Sequence, residues 1–152
     1  MSIRDKLMNA TKDAMRAHAA ERLSALRMMT AAIKDRDIAA RGDGAEGPVA
    51  DADLMSLFGK MIKQRQDASK VYLQGGRPEL ADKELNEVKV IEEYLPKQLD
   101  AAQVEAAVAA AIAGAEATSV KDMGRVMSVL KGKYAGQMDF GAVGALIKGR
   151  LG

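Results

Sequence analysis

DAAQVEAAVAAAIA, residues 100–113, has room for only one kind of regular structure. Eight of its fourteen residues are alanine, which loses no side-chain entropy in a helix and offers a strand nothing to pack. Asp100 stands three residues before Gln103, the spacing of a capping box in which each side chain satisfies the other's backbone N–H. A helix from about residue 101 to Ala113 follows. Downstream, Ser119 with Asp122 repeats the device and opens a helix through about Lys131. Gly132 to Met138 reads as a loop. Asp139 then caps a last helix with Phe140, Val143, Ile147 and Leu151 as its apolar stripe.

Upstream the same period continues. Ser2 with Asp5 opens a helix whose one face holds Ile3, Leu7, Ala10 and Ala14. Leu23, Leu26, Met29 or Thr30, and Ile33 mark a second helix over about Ala20–Ala40. GDGAEGPVA, residues 42–50, has no period and predicts a mobile connection. Asp51 or Asp53 is the expected cap of a third helix with the stripe Leu54, Phe58, Met61, Arg65, Ala68 and Tyr72. Gly75-Gly76 stops it. Pro78, favourable at a first helical position, starts a fourth with Leu80, Glu84, Val88 and Ile91 on one face. Leu95-Pro96 ends that helix, because the residue before proline is pushed out of helical geometry. The expected architecture is all-α: two helix pairs over residues 1–96 and a three-helix lobe over 97–152.

The rest of the 152-residue composition agrees, with 48% apolar residues, 3 Pro, 2 Phe, 3 Tyr and no Trp. Zero cysteines exclude a disulfide framework, a thiolate zinc site and a cysteine nucleophile. No apolar run approaches the roughly 20 residues that a membrane span needs. The start is charged and amphipathic and lacks the apolar centre of a secretory signal, so the cytoplasm is the expected compartment. Net charge is only +2. Residues 1–99 are nearly neutral, with 17 basic and 16 acidic residues. From Asp122 onward Arg125, Lys131, Lys133, Lys148 and Arg150 face only Asp122 and Asp139, so the terminal part is the basic one.

No catalytic constellation emerges. His18 is the single histidine and falls in the turn between the first two helices, where a solvated residue is expected. Glu92 and Glu93 are adjacent on a helix and point about 100° apart, so they do not form a dyad. Arg65 interrupts the apolar stripe of its helix and must therefore be paired or lie at the rim; Glu84, which interrupts the next stripe, is the natural partner, or else another acid of the fourth helix. No metal site and no cofactor are expected.

Lys121, Arg125, Lys131 and Lys133 are the candidate RNA-binding residues, and a solvated basic face is the competing reading. Only Tyr134 is aromatic among them, so shape and backbone recognition is expected rather than base stacking. Gly124, beside Lys121 and Arg125, permits a close backbone approach by a partner or by a neighbouring helix, and the residues favour the second.

Several segments resemble the GatB/YqeY family in order and spacing. They are Leu26-Arg27 with Ala31-Ala32-Ile33-Lys34, Lys63-Gln64-Arg65, Gly76-Arg77, Leu80-Ala81 with Glu84, and Tyr94-Leu95-Pro96-Lys97-Gln98-Leu99. Lys121-Asp122-Met123-Gly124-Arg125-Val126-Met127 is the most specific. Gly136-Gln137-Met138-Asp139 resembles the family's G-[RK]-A-D element, with Gln for the usual base and Met for the usual small residue. The last fifty residues also resemble the tail domain of the tRNA-binding subunit of glutamine-dependent aminoacyl-tRNA amidotransferase, through Gly124, Met127 and the closing helix. That resemblance implies tRNA as partner, association with amidotransferase or tRNA-synthetase components, and no DNA specificity. It supplies no chemistry, since the chain carries no amidase triad. A protein–protein adaptor built on the N-terminal hairpins, and a carbon–nitrogen ligase activity present only with a partner, are the competing functions.

Overall fold

The computed structural model describes residues 2–152, and among them every regular element is helical. The helices are α1 (Ile3–Arg16), α2 (Ala20–Gly42), α3 (Asp51–Gln74), α4 (Pro78–Glu92), α5 (Ala101–Gly114), α6 (Met123–Lys133) and α7 (Phe140–Leu151). A single 3₁₀ turn, Val120–Asp122, precedes α6. The chain divides into two compact units, one ending at Leu95 and one comprising Pro96–Gly152.

In the first unit the stripes meet as two hairpins, α1 with α2 and α3 with α4. Leu26, Met29, Leu54, Phe58 and Ile91 are fully buried, each contributing about 1.5–3 kcal/mol through water removal. Of the alternatives on α2, Met29 is buried and Thr30 exposed. Near the Gly75-Gly76 turn the buried residues of α3 and α4 shrink to Ser69 and Ala81. The turn closes because Gly76 adopts φ +72°, which lets the Arg77 N–H reach back to the Tyr72 carbonyl at 2.8 Å. α1 and α5 end the same way on His18 (φ 54°) and Glu116 (φ 52°), left-handed positions that glycine would occupy more cheaply. His18 is exposed in its turn.

Three expectations need correction. α2 runs to Gly42, and the following connection is not uniformly loose. Val49 is buried, donates its N–H to Asp37 at 2.9 Å and accepts from Arg4 Nη2 at 2.9 Å. Neither Asp51 nor Asp53 caps α3, whose N-cap is Ala50 without a side-chain bond. Asp51 instead accepts the Ile3 N–H at 3.3 Å, so it serves the start of α1, where Ser2 also accepts from Asp5 N at 3.1 Å. Local sequence could not reveal that tertiary capping. Finally, α6 continues to Lys133, so the expected loop is two residues shorter.

In the second unit Val108, Val126, Leu130, Val143 and Ile147 form the core. The reciprocal Asp100–Gln103 capping box opens α5, with bonds of 3.0 and 2.8 Å. Asp139 accepts from Gly141 N at 3.0 Å to open α7. Gly144 of α7 is buried, and a Cβ there would lie 3.3 Å from the end of Met123 and 3.4 Å from that of Met127. It is this glycine that lets α6 and α7 approach.

Candidate RNA interface

The candidate surface is α6 with the 3₁₀ turn before it. Val126 and Leu130 turn inward, with Met123 and Met127 half-buried beside them. On the opposite side Lys121, Gly124, Arg125, Ser128, Lys131 and Gly132 are all exposed. Gly124, Ser128 and Gly132 recur every fourth residue, so they form one row of minimal side chains along the helix. A Cβ at Gly124 or Gly132 would meet nothing within 4 Å. The expectation that Gly124 admits a neighbouring helix is therefore overturned: that packing role belongs to Gly144, and Gly124 is an open gap between two cations.

The turn before α6 is set by Asp122, which accepts from Thr118 N at 3.0 Å and Ser119 N at 3.3 Å. Its other oxygen accepts from Arg125 Nη2 at 2.9 Å. The Thr118 N–H first, and Arg125 second, hold the Asp122 carboxyl below the usual range. Arg125 is thus tethered at one end while its side chain stays well exposed. Lys121 and Lys131 stand exposed on the same side, with no ion pair among the described residues. Lys133 points elsewhere, with Nζ lying 5.5 Å from the Tyr134 ring centroid. Three of the four candidate cations share a face, then, and Lys133 is separated from them. Of the other basic residues, Arg150 of α7 is bound to Glu105 of α5.

The Gly136 element has a structural task. Gly136 takes φ +74°, and its carbonyl accepts from Gln98 Nε2. The Gln137 carbonyl accepts from Leu99 N at 2.9 Å, and Gln137 Nε2 donates to the Lys97 carbonyl at 3.2 Å. Met138 is buried. The Pro96–Leu99 and Gly136–Asp139 motifs, forty residues apart in sequence, are stitched together within one unit.

Arg65, placed among the motif residues, lies in the other unit. Its Nε donates to Glu87 at 3.1 Å and its Nη1 to the Met61 carbonyl at 3.0 Å, with side-chain exposures of 13% and 19% for the Arg65–Glu87 pair. The expected acid on α4 is there, but it is Glu87 and not Glu84. Arg65 Nη2 reaches toward Met28 of α2, so the guanidinium lies on the flank of the hairpin nearest α2, which Glu87 shares. Two further pairs were not legible from the sequence, because their partners are far apart in the chain. Arg4 grips Asp37 with two bonds of 2.8 Å, which together with the Val49 N–H lowers the Asp37 carboxyl to about 2. Arg22 holds Glu93 at 2.6 and 3.1 Å.

Comparison with known proteins agrees with these motifs. The family model described as Yqey-like protein matches residues 4–151. The protein named altered inheritance of mitochondria protein 41, mitochondrial, from Saccharomyces cerevisiae is 33% identical over 84 residues, 55% of this chain and 43% of that protein. Its namesake in Lachancea thermotolerans is 29% identical over 104 residues, 66% of this chain and 54% of that protein. The chain spans about half the length of the curated relatives it matches. With the family model covering nearly the whole chain, this protein belongs to the YqeY-like family.

Proposed function

We propose that this protein is a tRNA-binding accessory module related to the tRNA-dependent amidotransferase, working in the cytoplasm and engaging the RNA backbone through the outer face of α6. The observation that carries the reading is the row Gly124, Ser128, Gly132 flanked by the exposed cations Lys121, Arg125 and Lys131. Phosphates attract lysine and arginine regardless of sequence. The minimal side chains of the row let a ribose–phosphate strand come close to the helix. The face carries no aromatic platform, which suits a folded RNA read by shape. Lys133 is left out of the contact set because it covers Tyr134.

The test is binding of unfractionated tRNA followed by fluorescence anisotropy across a salt series. Three phosphate contacts give a log–log slope of roughly −2 to −3, and the affinity at physiological salt is micromolar or weaker. Replacing Lys121 and Arg125 together by Ala reduces the slope by about two. Gly124→Ala separates binding from folding: it stabilises α6 by up to about 1 kcal/mol while weakening tRNA binding, because the added methyl fills the gap. Absence of binding at low salt, or a slope unaffected by K121A/R125A, would defeat the reading.

A further inference from the structure

We propose that the cleft between the first turns of α2 and the body of α4 binds a free α-amino acid in its zwitterionic form, through Glu21 and Lys83. The cleft lies wholly within the first unit, so the inference stands independently of the RNA reading. Its walls are drawn from Ala20–Ala25 on α2 and Lys83–Val90 on α4. Its volume is about 490 Å³, inside the roughly 300–1,000 Å³ of small-molecule sites. Helical spacing decides which side chains face it. Glu21, Ser24 and Ala25 fall on one side of α2, and Lys83, Asn86, Glu87 and Val90 on one side of α4. Buried Ala25 and half-buried Val90 form an apolar floor, and Glu21, Ser24, Lys83 and Asn86 stand exposed around it.

Charge selects the occupant. Of the charged side chains that line the cleft, two are already neutralised: Glu87 holds Arg65 at 3.1 Å, and Arg22 holds Glu93 at 2.6 Å. Glu21 and Lys83 remain, one of each sign on facing helices, with no ion pair to each other or to another described residue. The side chains of Ser24 and Asn86 likewise make no hydrogen bond among the described residues. A ligand that satisfies this set carries a carboxylate for Lys83, an ammonium for Glu21 and an apolar group for Ala25 and Val90, with no net charge. An α-amino acid with an aliphatic side chain is the simplest such compound. A polyphosphate would meet one unpaired cation and two carboxylates in the lining. A metal ion would meet a single uncommitted carboxylate, and no group of three acidic or histidine side chains able to hold one occurs among the described residues.

The experiment titrates the ¹⁵N-labelled full chain with L-leucine and with two analogues of the same skeleton. Isocaproate lacks the ammonium group, and isopentylamine lacks the carboxylate. The expected result is a saturable shift of the Ser24, Ala25, Asn86 and Val90 amide signals with leucine, while Val108 and Val126 of the second unit stay put. Each analogue binds at least about tenfold more weakly, the size of a lost charge-assisted hydrogen bond. K83Q lowers leucine to the affinity of isopentylamine and leaves that amine's own affinity unchanged. E21Q lowers leucine to the affinity of isocaproate and leaves isocaproate unchanged. Both replacements put a good helix former at an exposed helical position, so the fold is retained. No saturable shift at tens of millimolar leucine, equal affinity for leucine and either analogue, or indifference of leucine binding to either E21Q or K83Q overturns the proposal.

Discussion

Replacing Arg65 by Ala tests the packing logic of the first unit more sharply than any other single change. The guanidinium is 13% exposed and holds Glu87, itself 19% exposed, at 3.1 Å, with a second bond to the Met61 carbonyl at 3.0 Å. Removing one partner of a buried pair costs about 3–5 kcal/mol, because the other charge is left desolvated. The residual exposure of Glu87 screens part of this, which brings R65A down to the bottom of that range or just below it, at about 2–3 kcal/mol. Glu87→Ala is milder, about 1–2 kcal/mol, since Arg65 keeps its bond to the Met61 carbonyl. Glu84→Ala stays within about 0.5 kcal/mol, as for a surface site. Replacing both members by apolar residues, R65M/E87L, brings the protein back to within about 1 kcal/mol of the parent. The measurement is urea unfolding followed by NMR signals of Tyr72 and Tyr94, which both report on this unit. An R65A loss below about 0.5 kcal/mol, or an E84A loss exceeding that of E87A, would refute the assignment of Glu87 as the partner.

Three further outcomes are expected. His18→Gly and Glu116→Gly each raise stability by about 0.5–1 kcal/mol in thermal unfolding, because the left-handed backbone no longer carries a Cβ; unchanged or lower stability argues against those turn conformations. Asp37 has its carboxyl lowered from 3.8 to about 2, so its stabilisation is complete above pH 3.8 and is lost as pH falls through about 2. D37N is accordingly less stable than the parent at neutral pH, the two converge below about pH 2 in acid unfolding, and a gap independent of pH would contradict the Arg4 bond as its cause. Gly144→Ala is nearly neutral, because the flexible ends of Met123 and Met127 yield, whereas Gly144→Leu costs about 1–3 kcal/mol by overpacking; equal effects on urea unfolding would mean that α6 and α7 do not meet there.

Local sequence determined what local forces control. Alanine-rich segments, Ser2, the Asp100–Gln103 box, Asp139 and Pro78 each act within one helical turn, and the helices lie where those signals place them. The apolar stripes named most of the buried residues, since a period of 3.6 needs no knowledge of the partner; on α4 the stripe began one residue early, because Leu80 is exposed and Ala81 is buried in its place. Tertiary structure decided whatever depends on which turn of one helix faces which turn of another. An acid on α4 was the natural partner for Arg65, but the choice of Glu87 over Glu84 depends on the rotation and register of two packed helices. Asp51 reads as a cap for its own helix and serves α1 instead, because only folding brings residue 3 beside residue 51. Gly124 and Gly144 are indistinguishable as helical glycines; one is an open gap and the other a helix contact because their faces turn opposite ways. Lys133 shares its sequence neighbourhood with Lys131, yet a helix separates neighbours two apart by about 200°, and that rotation removes it from the basic face.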